Sequence, residues 1–176
     1  MKELKLKNGE VVVIRPAGTN DAHELIEYIE KISSESDNLT FGPGEFVVTV
    51  EQEVNFLENM SNIENAIYLI AHNGERIVGS LNFSGGSRPR IAHTGEFGVS
   101  VLKAYWGNGI GTELIKCLLE WCRKSGIIRK VNLRVKTDND NAIHVYRKLG
   151  FADEGVITRE FCIDGRFYDT LSMGLK

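Results

Sequence analysis

The sequence has no apolar run near the ~18 residues that a membrane-crossing helix needs. Its first residues, Met1-Lys2-Glu3-Leu4-Lys5-Leu6-Lys7, alternate charge with leucine and lack the apolar centre of a secretory signal. A cytoplasmic protein is therefore expected. Cysteines are few, odd in number and without C-x-x-C spacing, so Cys117, Cys122 and Cys162 are expected as reduced, buried thiols. His23, His72, His93 and His144 are scattered, and no pair has zinc-ligand spacing, so no metal is predicted. An excess of one charge is also missing. The 21 Lys and Arg against 24 Asp and Glu leave a net −3, which gives no support for nucleic acid or an anionic membrane as a partner. No internal repeat, low-complexity tract or linker interrupts the 176 residues. At roughly 150 residues per domain, one domain over 1–176 is expected.

What is there is ordinary globular composition, 42% hydrophobic and 26% charged, which excludes a disordered or fibrous chain. Val11 to Ile14 reads as a strand that stops at Pro16. Ala22, Leu25, Ile26, Ile29 and Ile32 then recur at helical spacing behind the capping residues Thr19-Asn20-Asp21. Phe41-Gly42-Pro43-Gly44 is a loop by composition. Thr49-Val50-Glu51-Gln52 reads as a capping box that opens a short helix through Val54, Leu57 and Met60. Ala66–Ala71 and Ile77–Phe83 are strand-like, and Asn73-Gly74 between them is a hairpin signal.

Phe97, Val99 and Val101 alternate as a strand. Leu114, Ile115, Leu118, Leu119 and Cys122 return to helical spacing, and Gly126 stops that helix. Val131, Leu133 and Val135 alternate again. Asn141 to Leu149 is helical with Gly150 at its end, and Asp164-Gly165 turns a final hairpin. The order β-α-α-β-β-β-α-β-α-β-β implies a mixed sheet with helices on both faces. Its middle is antiparallel, with one parallel crossover over 97–135.

Trp106-Gly107-Asn108-Gly109-Ile110-Gly111-Thr112 lies between a strand and a helix, where a phosphate site belongs. Glycines let the backbone approach an anion, and the first helical N–H groups point outward at the positive end of the helix dipole. The spacing excludes the two common nucleotide fingerprints. Counting from Gly107 or Gly109, the last glycine of G-x-G-x-x-G is replaced by Thr112 or Leu114, and no lysine completes a Walker loop. By itself the segment is either a phosphate loop or a mobile turn.

With its flanks, Phe97 through Leu114 resembles the acyl-CoA-binding motif of the GNAT superfamily of N-acetyltransferases, Gln/Arg-x-x-Gly-x-Gly/Ala. Trp106 stands where that pattern has Gln or Arg. Tyr105-Trp106-Gly107 is similar to the branch containing ribosomal-protein alanine acetyltransferases. Independently, Asn139-Asp140-Asn141-Ala142-Ile143-His144-Val145-Tyr146-Arg147-Lys148-Leu149-Gly150-Phe151 resembles the family block Asn-x-x-Ala-x-x-x-Tyr-x-x-x-Gly-Phe. The resemblance covers roughly residues 66–163.

The resemblance implies an α/β (α+β) fold whose mixed, mostly antiparallel sheet splays at the acyl-CoA site. It implies acetyl-CoA as acyl donor, no metal, and direct attack by a primary amine of a small molecule or a peptide N-terminus. A homodimer, as in many relatives, is compatible with it. Val99, Ser100 and Val101 would pair through their backbone with the pantetheine arm, and Val99 N–H would meet the developing oxyanion. Trp106, Gly107, Asn108, Gly109, Ile110, Gly111 and Thr112 would hold the phosphates. Asn139 would contact the cofactor, its alternative role being a helix cap. Tyr146 would lie near the cofactor sulfur and protonate the departing thiolate, a mildly uphill step from ~10 to ~8.5. Its alternative is core packing against Leu149.

Glu96, the carboxylate nearest in sequence to the cofactor strand, leads as the amine's proton acceptor, against a solvent-facing strand glutamate. His93 and His144 are weaker candidates, since His144 should point away from Tyr146 on its helix. Cys117 and Cys122 should be inert. The segment 35–46 has three carboxylates and no basic residue, a setting that attracts a cationic amine. Two other outcomes stay open: an acyl-CoA-binding regulatory domain without turnover, and a nucleotide-binding protein.

Overall fold

The computed structural model describes residues 1–176. In chain order the elements are β1 (Lys2–Lys5), β2 (Val11–Pro16), α1 (Ala22–Ser33), α2 (Val50–Ser61), β3 (Ala66–His72) and β4 (Ile77–Gly85). They continue with β5 (Thr94–Val101), α3 (Ile110–Ser125), β6 (Lys130–Lys136), α4 (Asp140–Lys148), β7 (Ala152–Ile163) and β8 (Arg166–Leu175). The strands form one eight-stranded sheet in the order β1-β2-β3-β4-β5-β6-β8-β7. Every pairing is antiparallel except β5 with β6. The expected mixed, mostly antiparallel sheet with one parallel crossover is what the chain forms.

One element was not expected. Lys2-Glu3-Leu4-Lys5 pairs with β2 in the register Lys2↔Ile14 to Lys5↔Val11. Its charged residues are what a sheet edge uses to discourage further pairing.

Local sequence explains the helices. Leu25, Ile29 and Ile32 of α1 are buried as their spacing predicts, but Tyr28 takes the inner face where Ile26 was expected. Thr49 opens α2 with the full capping box: its hydroxyl accepts from Gln52 N–H at 3.2 Å, and Thr49 N–H donates to Gln52 Oε1 at 2.8 Å. Left-handed glycines bound α3, Gly109 at φ +82° and Gly126 at φ +69°. The start of α1 is tied to β2 by a forked pair, Arg15 Nη1 and Nη2 each 2.7 Å from an oxygen of Asp21.

Two apolar clusters lie on opposite faces of the sheet. One joins α3 and α4 to the sheet through Leu114, Leu118, Leu133, Phe97 and Tyr146. The other seats α1 and α2 through Leu25, Ile29, Leu57 and Ile70. Truncating a fully buried leucine such as Leu118 to alanine costs about 2–5 kcal/mol, a large share of a domain's stability.

The feature that positions the site is a break in the sheet. β5 and β6 pair only at Thr94↔Lys130, Gly95↔Val131 and Glu96↔Asn132. Beyond Glu96, β5 stays with β4 as far as Gly79↔Val101, while β6 stays with β8 as far as Lys136↔Thr170. A wedge opens between them.

Candidate active site

Which backbone groups face the wedge follows from parity. Gly86 N–H donates to the Thr94 carbonyl at 2.9 Å, and Leu102 N–H to the Val78 carbonyl at 3.0 Å. In an antiparallel ladder alternate residues turn their N–H and C=O to the same neighbour. Even-numbered residues of β5 therefore bond β4, and Phe97, Val99 and Val101 turn theirs toward the wedge. Side chains alternate across the sheet as well. Phe97, Val99 and Val101 pack on the α3/α4 side, leaving Glu96, Gly98 and Ser100 on the α1/α2 side.

The wedge is the centre of a cleft of about 1910 Å³. Val99, Ser100, Val101, Trp106, Gly107, Gly109, Ile110, Gly111, Thr112, Asn139, Tyr146 and Glu96 all line it. At the mouth, Gly107 (φ +73°) and Gly109 (φ +82°) are left-handed with open space where a Cβ would lie. Their requirement is conformational rather than steric. Glu113 N–H bonds the Gly109 carbonyl at 3.0 Å. The amides ahead of it, at Ile110, Gly111 and Thr112, have no partner within the helix. Free amides at a helix N-terminus are the arrangement that can hold an anion. Asn108 differs from its neighbours: its amide turns back to the carbonyls of Tyr105 (3.2 Å) and Trp106 (3.3 Å) and braces the loop. The Trp106 indole N–H donates to the Val101 carbonyl at 2.6 Å.

On the other side of the wedge, Asn139 caps α4, its Oδ1 accepting from Ala142 N–H at 3.2 Å. Tyr146 is 9% exposed. It meets the rings of Phe97 and Phe151 edge-on, both at 6.1 Å between centroids. Burial alone pushes its hydroxyl up to about 12. Proton donation to a thiolate is thus steeper than the unperturbed value suggested.

Glu96 reaches the cleft but not as a free carboxylate. Arg134 Nε and Nη2 approach its Oε1 at 2.9 and 2.8 Å. The same guanidinium bonds Glu160, whose other oxygen bonds the fully buried Thr170 hydroxyl. These contacts cross the wedge from β5 to β6 and on to β7 and β8.

Sequence reasoning missed a polar strip on the α1/α2 side. The register sets Ser80, Asn82 and Ser84 of β4 opposite Ser100, Gly98 and Glu96 of β5. The Tyr28 hydroxyl shares a hydrogen bond with Ser100 Oγ at 2.8 Å, and Ser80 Oγ lies 3.4 Å from the same oxygen. Burial pushes Tyr28 up to about 12 against the opposing effect of Ser100, and it raises Tyr68 as well. The alternation Ser80-x-Asn82-x-Ser84 is a signal that was available. Glu53 of α2 was missed too, and nothing in its spacing marks it. It is 3% exposed, lines the cleft, and burial alone raises its carboxyl.

Other expectations need correction. Cys162 is exposed rather than buried, because β7 is an edge strand. Cys117 is half-buried and Cys122 buried; burial raises both thiols, Cys122 to about 11, as inert cysteines require. His144 lines the cleft despite its expected orientation. His93 accepts through its backbone carbonyl from Arg129 and Lys130 at 2.8 and 3.1 Å. Of the three carboxylates in 35–46, two are bound internally: Glu35 accepts from Lys103 N–H and Glu45 from Gly42 N–H, both at 2.7 Å.

Residues 26–151 match the family model described as the acetyltransferase (GNAT) family. The L-amino acid N-acetyltransferase AaaT of Escherichia coli is 31% identical over 97 residues, 55% of this chain and 60% of that protein. The spermidine N(1)-acetyltransferase of the same bacterium is 35% identical over 78 residues, 44% of this chain and 42% of that protein. The N-alpha-acetyltransferase RimI of Mycobacterium tuberculosis is 35% identical over 103 residues, 56% and 60% of the two chains. The matched segments thus span less than two thirds of these relatives.

Among solved structures, a GNAT-family acetyltransferase from Streptococcus pneumoniae superposes with a TM-score of 0.91 at 34% identity, over 93% of this chain and 98% of that one. The yncA protein of Salmonella typhimurium, solved with acetyl-CoA, shares the fold with a TM-score of 0.81 at 20% identity, over 94% and 93%. The glycine loop, the wedge and the Asn139–Phe151 block therefore sit within a shared architecture, and this chain belongs to the GNAT family of acetyltransferases.

Proposed function

We propose that this protein moves the acetyl group of acetyl-CoA to a primary amine by direct attack. The observation that carries this reading is the unpaired edge of β5. Phe97 and Val99 turn backbone donors and acceptors, and Val101 its N–H, into a wedge that ends at the helix-borne amides of Ile110, Gly111 and Thr112. An amide-bearing arm joined to phosphates fits that arrangement: the arm adds as a strand, and the phosphates meet the amides. When bound, acetyl-CoA supplies an activated acyl carbon and a sulfur leaving group.

This chain's residues then have three tasks. Val99 N–H, unclaimed by β4, donates to the acyl oxygen as negative charge grows on it. A preorganised donor of this kind is worth about 2.7–4 kcal/mol where measured. Tyr146 sits across the wedge with its hydroxyl pushed up to about 12. It stays protonated throughout the neutral range and acts as a hydrogen-bond donor to the departing sulfur more than as a full proton source. Glu96 takes the amine's proton through water. Arg134 holds its Oε1 and so aims it, and leaves its Oε2 free for that water.

The test is release of free CoA thiol from acetyl-CoA across polyamines, amino acids, aminoglycosides and peptides with free N-termini, with thermal shift by acetyl-CoA measured in parallel. Turnover with an amine class supports the reading. Stabilisation by acetyl-CoA without turnover on any amine replaces it with a silent acyl-CoA-binding domain. Absence of stabilisation removes the cofactor assignment itself.

A further inference from the structure

Glu53 is the one carboxylate of the cleft that the fold buries almost completely and leaves without a counter-charge. It is 3% exposed on the first turn of α2, and burial is the sole influence on its carboxyl. A buried ionised carboxylate without a partner is costly, and a cation brought to it removes that cost. The fold supplies none. The cleft's own cations are engaged elsewhere: Arg134 holds Glu96 and Glu160, and Lys136 Nζ sits 4.0 Å over the Tyr168 ring and 3.5 Å from Asp138.

The surroundings suit an alkylammonium in particular. Tyr68 lies close enough for the Glu53 charge to add to its raised pKa, and Phe56 meets Tyr68 edge-on at 6.2 Å between centroids. Phe41 and Phe46, 5.7 Å apart, also line the cleft. Ring faces beside a carboxylate attract alkylammonium groups while accommodating methylene chains. With Arg134 and Lys136 engaged, no free Arg or Lys of the lining remains to hold an acceptor's carboxylate.

We propose that the acceptor is an alkyl diamine or polyamine whose non-reacting ammonium is held by Glu53, while its other amine reaches the Val99–Tyr146 wedge. The polar strip Tyr68–Ser80–Ser100 leads from one position to the other. This deepens the acetyltransferase reading and rests on it. Glu53 acts here as a specificity residue, binding the end of the acceptor that does not react.

The test compares 1,4-diaminobutane with butylamine, which has one ammonium and the same chain. CoA release and equilibrium binding by calorimetry in the presence of CoA are both measured, on wild type, Glu53→Gln and Glu53→Asp. Wild type should prefer the diamine by about 10-fold or more in kcat/KM, carried by KM, as expected for one charge-assisted contact. In Glu53→Gln that ratio should collapse toward one, and diamine binding should weaken by about 10-fold. Glu53→Asp, which keeps the charge one methylene shorter, should retain part of the preference. Thermal stability of Glu53→Gln should equal or exceed wild type, because an unpaired buried charge is removed. Equal handling of the two amines by wild type, or a preference unchanged in Glu53→Gln, overturns the proposal. If no amine is acetylated, the activity reading fails, and the calorimetric comparison still decides whether Glu53 binds the second ammonium.

Discussion

The indole N–H of Trp106 donates to the carbonyl of Val101 at 2.6 Å. That contact ties the glycine loop to the end of the strand against which the cofactor arm is proposed to lie. It also accounts for the departure from the family pattern, which has Gln or Arg at this position. Tryptophan keeps a side-chain donor and spends it on the strand, while the loop's backbone amides stay free.

Removing that donor should therefore loosen the loop without unfolding the protein. Trp106 is 51% exposed, so little core packing is at stake. Trp106→Phe keeps a ring and loses one hydrogen bond, a cost of about 1 kcal/mol. Thermal unfolding should move by a few degrees at most, while the KM for acetyl-CoA rises several-fold. Trp106→Gln, which restores a donor, should recover part of that affinity. Equal acetyl-CoA affinity in wild type and Trp106→Phe would show that the tether does not shape the site.

Two loop glycines should respond differently to a methyl group. Gly109 is left-handed at φ +82°, with nothing near the added Cβ. Gly109→Ala should cost about 1–2 kcal/mol from backbone strain alone. Gly111 is not left-handed, and a Cβ there lies 3.7 Å from Val101 Cγ2, an ordinary contact. Gly111→Ala should be neutral in stability or slightly stabilising, since it lies in a helix. Denaturant midpoints of the two variants, measured together, distinguish strain from crowding.

Tyr146→Phe should lower kcat by about 10- to 100-fold, the loss expected for one hydrogen bond to a developing charge, about 1.5–3 kcal/mol. The ring packing against Phe97 and Phe151 survives the change, so stability should hold. Because burial pushes the hydroxyl up to about 12, the neutral donor form persists at every pH below that value. The wild-type kcat profile should then show no alkaline decline from Tyr146 below about pH 10. An alkaline limb near pH 8–9 that vanishes in Tyr146→Phe would contradict this assignment.

The fold was largely readable because each element carried its own signal. The Thr49 capping box, the Asn73-Gly74 and Asp164-Gly165 turns and the alternation in β5 and β6 are local, and local chemistry sets them. The family motifs fell on the glycine loop and the start of α3 for the same reason, since glycine conformation and helix ends are short-range properties. The α1/α2 side of the cleft was less readable. Tyr28, Ser80, Ser100 and Glu53 come from four different elements and meet only through sheet register and helix docking. Glu53 in particular looks like a surface residue on an amphipathic helix, and only the packing of α2 near Tyr68 makes it a buried carboxylate. Cys162 failed for the opposite reason: burial is the default for an unpaired cysteine, but β7 lies at the sheet edge.

The fork between Arg15 and Asp21 anchors α1, which carries Tyr28 to the cleft, and it should make the protein sensitive to acid. Hydrogen bonds from Arg15, helped by Gly18 N–H at 2.7 Å, hold the Asp21 carboxyl below its ordinary value. A carboxyl depressed in the folded state stabilises the fold above its unfolded value of about 3.9, and that contribution disappears as pH falls through the folded value. The unfolding temperature should therefore drop as pH is lowered from about 5 toward 3. Asp21→Asn should lower stability at pH 7, where the ion pair is lost, and should flatten that acid drop. The two unfolding curves should converge at low pH, where the wild-type carboxyl is also uncharged. Parallel curves across the whole range would assign the acid sensitivity to other carboxylates and leave Asp21 as a neutral contact.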